Sequence, residues 1–143
     1  MKPEYIIIHC SDSKFGNALM IDRWHREKGW RKIGYQYVIT NKHPFSSDEA
    51  IPWTNAQIEA GRREDEIGAH CLGYNGNSIG ICLIGEGEDT FTTMQIYSAI
   101  ELVKRLMVKY DIPKRNVLGH YETEKSHGKT CPNLDMNQFR KHL

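Results

Sequence analysis

No apolar run in the 143 residues approaches the roughly 20 that a membrane-spanning helix requires. The opening residues, Met1, Lys2, Pro3 and Glu4, lack the basic flank and apolar stretch of a signal peptide, so a soluble protein made in a cytoplasm, without membrane insertion, is expected. Neither sign of charge dominates. The 19 Lys and Arg against 18 Asp and Glu leave +1, which argues against a protein that lives on nucleic acid. The charge is uneven: residues 1–100 carry 10 basic and 13 acidic side chains, residues 101–143 carry 9 and 5. That reads as solvated helix surface, with a weak attraction to an anionic polymer as the alternative. Cysteine is sparse. Cys10, Cys71, Cys82 and Cys131 are irregularly spaced and include no CxxC pair, which excludes a disulfide framework, a zinc ribbon and a redox dithiol. Also missing are GxSxG, a Walker A loop, HExxH and an EF-hand, and Gly80, Gly85 and Gly87 are too irregular for a dinucleotide fingerprint.

What remains is ordinary globular composition, 39% hydrophobic and 26% charged, at the size of one domain spanning 1–143. Tyr5 to Cys10, with three isoleucines, predicts a buried strand. Asn17 reads as the N-cap of a helix from Ala18 to Lys28, with Gly29 as its stop and Met20, Ile21 and Trp24 on its buried side. Ile33 to Asn41 predicts a second strand. A loop follows from Lys42 to Pro52, then a short strand around Gln57 to Gly61. Ser78 to Glu86 is the most apolar strand candidate. Thr92 and Gln95 make a capping-box signature for a helix to about Tyr110, with Ile96, Ile100, Val103, Met107 and Tyr110 as the expected buried face. Val117 to His120 reads as a short strand and Asn137 to Leu143 as a terminal helix. Alternating strands and helices predict an α/β single domain, a central mixed β-sheet flanked by helices.

Two of the seven histidines close apolar strands, where a side chain projects from rigid scaffold into the groove at the strand end. His9 follows Ile6, Ile7 and Ile8; His120 follows Val117, Leu118 and Gly119. If the strands are neighbours the imidazoles converge, and Cys131 lies a short distance beyond in Lys129-Thr130-Cys131-Pro132. Two histidines and one cysteine match a three-ligand zinc site with an open fourth position. On spacing alone the bland reading stays open: His9 as a satisfied strand-end histidine and Cys131 as a buried small hydrophobe. Cys10 faces away from His9 and belongs with Cys82 in the core. Glu86 and Glu88, or Glu64, Asp65 and Glu66, raise glycoside hydrolysis, which needs two acids across a cleft, but read better as solvated turns.

The segments IIIHCSDS (6–13), WHREKGWRKIGYQYVI (24–39), EAGR (59–62), GAHCLGYNGNSIGICLIG (68–85), GHYE (119–122) and KTCPNLD (129–135) together span nearly the whole chain. In this order they resemble the zinc-dependent N-acetylmuramoyl-L-alanine amidases, the group that includes the animal peptidoglycan recognition proteins, and are similar in particular to lysozymes of short-tailed bacteriophages. The resemblance implies zinc on His9, His120 and Cys131, in a groove at the strand ends. It places Tyr35 and Lys129 beside the metal as catalytic groups, and His70 and Asn75 as substrate contacts. Read without it, Tyr35 is a packed aromatic and Lys129 a solvated lysine.

The implied reaction is hydrolysis of the amide between N-acetylmuramic acid and L-alanine in bacterial peptidoglycan. A monomer would be made in the host cytoplasm and act at the cell wall after release. The rival readings are a non-catalytic peptidoglycan-binding module and a second role as regulator of a phage RNA polymerase. Two departures from the family pattern stand out: the loop Lys42 to Pro52, expected to reshape the rim of the groove, and a lengthened stretch from His120 to Cys131, in which His127 is a solvated loop residue or a substrate contact.

Overall fold

A computed structural model describes all residues, 1–143. The elements run β1 (Tyr5–Cys10), α1 (Ala18–Glu27), β2 (Tyr37–Ile39), β3 (Ile58–Ala60), β4 (Ser78–Leu83), α2 (Thr93–Tyr110), β5 (Val117–Gly119) and α3 (Met136–Arg140). The strands form one mixed sheet in the order β3-β2-β4-β1-β5, in which only β3 is antiparallel to its neighbour. No helix is long and apolar enough to cross a membrane.

Strand alternation divides the sheet between two cores. Ile6 and Ile8 of β1 and Ile79, Ile81 and Leu83 of β4 pack with Ala99, Leu102, Val103 and Leu106 of α2 and with Met136 and Phe139 of α3. On the opposite side Val38 and Cys82 meet Ile21, with Trp24 and Tyr35 against them. Each fully buried isoleucine contributes about 1.5–3 kcal/mol, so the Ile6-Ile7-Ile8 run, wholly inaccessible, anchors the strand that ends in His9.

The helix starts are fixed by side chains. Asn17 accepts from the Met20 N–H at 2.9 Å, and Glu59 of β3 accepts from the Ala18 N–H at 2.8 Å. Thr92 and Gln95 form the expected capping box. Gln95 is also fully buried, donating to the carbonyls of Ile39 and Ile84 at 2.9 Å each. This rotates α2: its buried face centres on Ala99, Leu102, Val103 and Leu106, leaving Ile96, Met107 and Tyr110 half-buried at the margins.

The second strand is shorter than Ile33 to Asn41. Gly34 and Tyr35 leave the ladder because their carbonyls accept from the N–H groups of Ala69 and Arg62, so only Tyr37–Ile39 pairs on both sides. Glu64 is likewise no solvated turn residue, since its carboxylate accepts from Tyr37, from Tyr110 at 2.6 Å and from Lys109 at 2.6 Å.

Candidate metal centre

β1 and β5 are parallel neighbours with Ile8 opposite Gly119, so His9 and His120 emerge side by side, their ring centroids 4.6 Å apart. Cys131 joins them from the segment after β5. One ligand atom from each of His9, His120 and Cys131 lies within 4.8 Å of the others, and the His9 Nδ1 to Cys131 Sγ distance is 3.9 Å. Around a tetrahedral zinc with ordinary bond lengths those pairs would be about 3.3–3.6 Å apart, so the donor types fit and the three side chains would have to draw closer together to hold the ion. This is the trio expected from the strand ends.

Each candidate ligand has its own support. Glu122 accepts from the Gly119 N–H at 2.9 Å and forms a two-pronged ion pair with Arg140 of α3 at 2.7 and 2.8 Å. Arg140 also donates to the Val117 carbonyl at 2.9 Å, so α3 ties down the strand that carries His120. The Cys10 N–H donates to Cys131 Sγ at 3.2 Å, a contact that favours a thiolate. Cys10 is buried and outside the ligand group, as expected, but it also lines the groove rather than lying wholly in the core.

Burial, followed by the charges of His70, His120 and Lys129, holds His9 well below the usual histidine range, and burial, then Lys129, lowers His120. Both imidazoles are thus neutral, the form that binds metal. The Cys10 thiol beside it, and then burial, push the Cys131 thiol up. A cation there would displace the proton.

The groove, about 440 Å³, is lined by His9, His120 and Cys131 with Ser11, Asp12, Lys28, Tyr35, His70, Gly128, Lys129 and Thr130 among others. Tyr35 is 5.0 Å from His9 between ring centroids, and burial, then the nearby thiols, raise its phenol well above the ordinary value. Lys129 stands exposed at the rim. Asp12 is the one carboxylate among the lining residues, so the two-acid geometry of a glycosidase is not present in this groove.

His70 also lines the groove, with both ring nitrogens engaged: Nδ1 with His9 Nε2 at 2.9 Å and Nε2 with Ser78 Oγ at 3.3 Å. Asn75 does not line it. Its Oδ1 accepts from the N–H groups of His70 and Cys71 at 2.8 and 2.9 Å, so Asn75 holds the loop that carries His70. The loop 42–52 contributes Lys42, His43 and Ser47 to a separate depression beside the start of α2, away from the ligands, and so does not shape the rim of this groove. The stretch from His120 to Cys131 does shape it, through Gly128, Lys129 and Thr130, while His127 is exposed and outside the lining.

Residues 1–134 match the N-acetylmuramoyl-L-alanine amidase family. The chain belongs to that family. It is 32% identical to the endolysin of Escherichia phage T7 over 94% of this chain and 83% of that one. The N-acetylmuramoyl-L-alanine amidase LysC from Clostridium intestinale superposes with a TM-score of 0.78 at 26% identity, covering 99% of this chain and 85% of the other. A point mutant of Drosophila PGRP-LB, solved in complex with tracheal cytotoxin, superposes with a TM-score of 0.67 at 28% identity over 92% and 76% of the two chains.

Sequence reasoning missed two residues that position Tyr35 in this amidase. Arg62, buried, donates to the carbonyls of Ile33 and Ile67 at 2.7 Å each and so clamps the turn through Gly34. His25 Nδ1 accepts from the Gly34 N–H at 2.9 Å and its ring lies 5.4 Å from that of Tyr35. Both lie in segments that carry the resemblance, His25 in WHREKGWRKIGYQYVI and Arg62 in EAGR, and His25 also falls on the apolar side of α1, but neither was read as a positioning residue.

Proposed function

We propose that this amidase hydrolyses the amide joining the lactyl group of N-acetylmuramic acid to L-alanine in bacterial peptidoglycan, with zinc as its metal. The observation that carries the reading is the convergence of His9, His120 and Cys131 in one groove with Tyr35 and Lys129. Its relatives include phage endolysins, and a fold neighbour is bound to tracheal cytotoxin. His9, His120 and Cys131 would hold the zinc, which would supply Lewis acidity and a water activated at neutral pH. Tyr35 keeps its proton and orients the attacking water through its hydroxyl. The Lys129 ammonium stabilises the negative charge that develops on the scissile carbonyl oxygen, a contribution of about 3–4 kcal/mol for one preorganised donor. Made in a host cytoplasm, the protein acts at the wall after release. A non-catalytic receptor is the less favoured reading because Cys131, Tyr35 and Lys129 are all retained.

Digestion of purified peptidoglycan tests this. L-Alanine amino groups should appear while glycan reducing ends stay constant. New reducing ends without new amino groups would overturn the proposal, and tight binding of fragments without cleavage would favour the receptor.

A further inference from the structure

Behind His9 lies a chain of hydrogen bonds whose direction is determined at its far end. Ser78 Oγ lies 2.6 Å from the Tyr74 carbonyl oxygen. A carbonyl only accepts, so the serine proton points there. Ser78 Oγ must then accept from His70 Nε2, 3.3 Å away. That leaves His70 Nδ1 as an acceptor, facing His9 Nε2 at 2.9 Å, so His9 Nε2 carries the proton. Its other nitrogen, Nδ1, is left with a free lone pair on the side of Cys131.

The opposite arrangement breaks the chain. A proton on His9 Nδ1 would set two lone pairs against each other across 2.9 Å unless His70 also changed tautomer. Ser78 would then have to give up the Tyr74 carbonyl.

The surroundings of His70 are built for its ring. A Cβ at Gly80 would lie 2.6 Å from its Cγ, and one at Gly68 would lie 2.6 Å from its Cδ2. Both are closer than any real contact, so these two positions must stay bare for the ring to sit where it does. Asn75 pins the backbone of the same residue. The ring stands perpendicular to that of His9, with an interplanar angle of 90°, which points the edge of one imidazole at the other.

We propose that His70 is a positioning residue: backed by Ser78 and the Tyr74 carbonyl, it locks His9 in the Nε2–H tautomer and aims Nδ1 at the metal position. The inference rests on the reading of His9, His120 and Cys131 as metal ligands. Outer partners of this kind typically change metal affinity by about 10–100-fold.

The test has two readouts on the full chain. In metal-free, 15N-labelled protein, long-range 1H–15N spectra should show His9 as a single Nε2–H tautomer. His70→Phe fills the cradle without an acceptor, so it should mix the two tautomers and weaken zinc binding, measured by chelator competition, by about 10–100-fold. His70→Asn places a carboxamide oxygen near the position of Nδ1 and should recover most of the affinity. Ser78→Ala frees the far end of the chain and should mix the tautomers with a loss of about threefold to tenfold, at the lower end of such effects. An Nδ1–H tautomer in the parent overturns the proposal, as does a His70→Phe protein that binds zinc within twofold of the parent. If His70→Phe does not fold, the parent spectrum and Ser78→Ala decide. A parent that binds no zinc defeats the metal reading, whereas the tautomer is read without metal and separates the two failures.

Discussion

The turn that presents Tyr35 depends on a bare Cα at Gly34. A Cβ there would lie 2.0 Å from the Ala69 carbonyl oxygen, 2.8 Å from its carbon and 3.2 Å from the Trp30 ring. The first two neighbours are backbone, and they cannot swing away as the tip of a flexible side chain can. Gly34 is also fixed from both sides, by its own N–H to His25 Nδ1 at 2.9 Å and by the Ala69 N–H to its carbonyl at 3.0 Å. Gly34→Ala must therefore open the turn. Overpacking of a filled site costs about 1–3 kcal/mol, and the two buried hydrogen bonds add about 1 kcal/mol each, giving about 3–5 kcal/mol. For a chain of this size that corresponds to a fall in Tm of about 10–15 °C. The displaced Tyr35 should lower kcat further, since a misplacement of about 1 Å in a catalytic group costs on the order of 10²-fold. Gly76→Ala is the control, because nothing lies within 4 Å of its added Cβ. Scanning calorimetry of the zinc-loaded variants, with peptidoglycan release assayed alongside, reads both effects. A Gly34→Ala protein that melts within 2 °C of the parent and cleaves at the parental rate would refute the reasoning.

Lys129→Ala should retain zinc and fold but lose about 10²–10³ in kcat, and Tyr35→Phe should also lose kcat with little change in KM, because both groups act on charge or water in the transition state; steady-state kinetics with metal analysis checks this, and parental rates would refute the assigned roles. Removing zinc should abolish activity and lower stability, by about 4 kcal/mol relative to protein held at a thousandfold excess over Kd, and a metal-free protein with full activity would defeat the metal reading. Acid should destabilise the metal-free fold partly through His25, which burial, then Lys28 and Arg62, hold down at about 4. The unfolded state takes up that proton below about 6.5 while the native state stays neutral to about 4, so stability falls as pH falls through this window, by no more than about 3 kcal/mol. In urea melts between pH 7 and 4, His25→Asn, which keeps an acceptor for Gly34 but does not titrate, should flatten the dependence; an unchanged slope would assign the effect elsewhere.

The convergence of His9 and His120 was legible because it follows from strand order, whereas Cys131, on the segment after β5, rested on the resemblance. Once β1 and β5 are parallel neighbours, residues that close them must share the groove at their carboxyl ends, the usual place for a site in such sheets. The ends of β1 and the capping of α1 and α2 were legible for a similar reason, since apolar runs and capping side chains act within a few residues of where they stand. The length of β2 was not. It is decided by Arg62 and Ala69, whose N–H groups take the carbonyls of Tyr35 and Gly34 out of the ladder from 27 and 35 residues away.

The support for His9 was hidden for a further physical reason, and its trace lies in β4. On the side facing α2 that strand presents Ile79, Ile81 and Leu83, all fully buried in the larger core. On the other side it presents Ser78, Gly80 and Cys82, small residues of which glycine in particular weakens a strand. Read along the chain, SIGICL is an apolar strand with a defect at Gly80. Read by faces, one side supplies the packing that holds the strand in place, and the other leaves the space that the His70 ring occupies and the hydroxyl to which it donates. The weakened β-propensity is confined to the face that carries chemistry, and the isoleucines on the reverse face are what allow the strand to tolerate it.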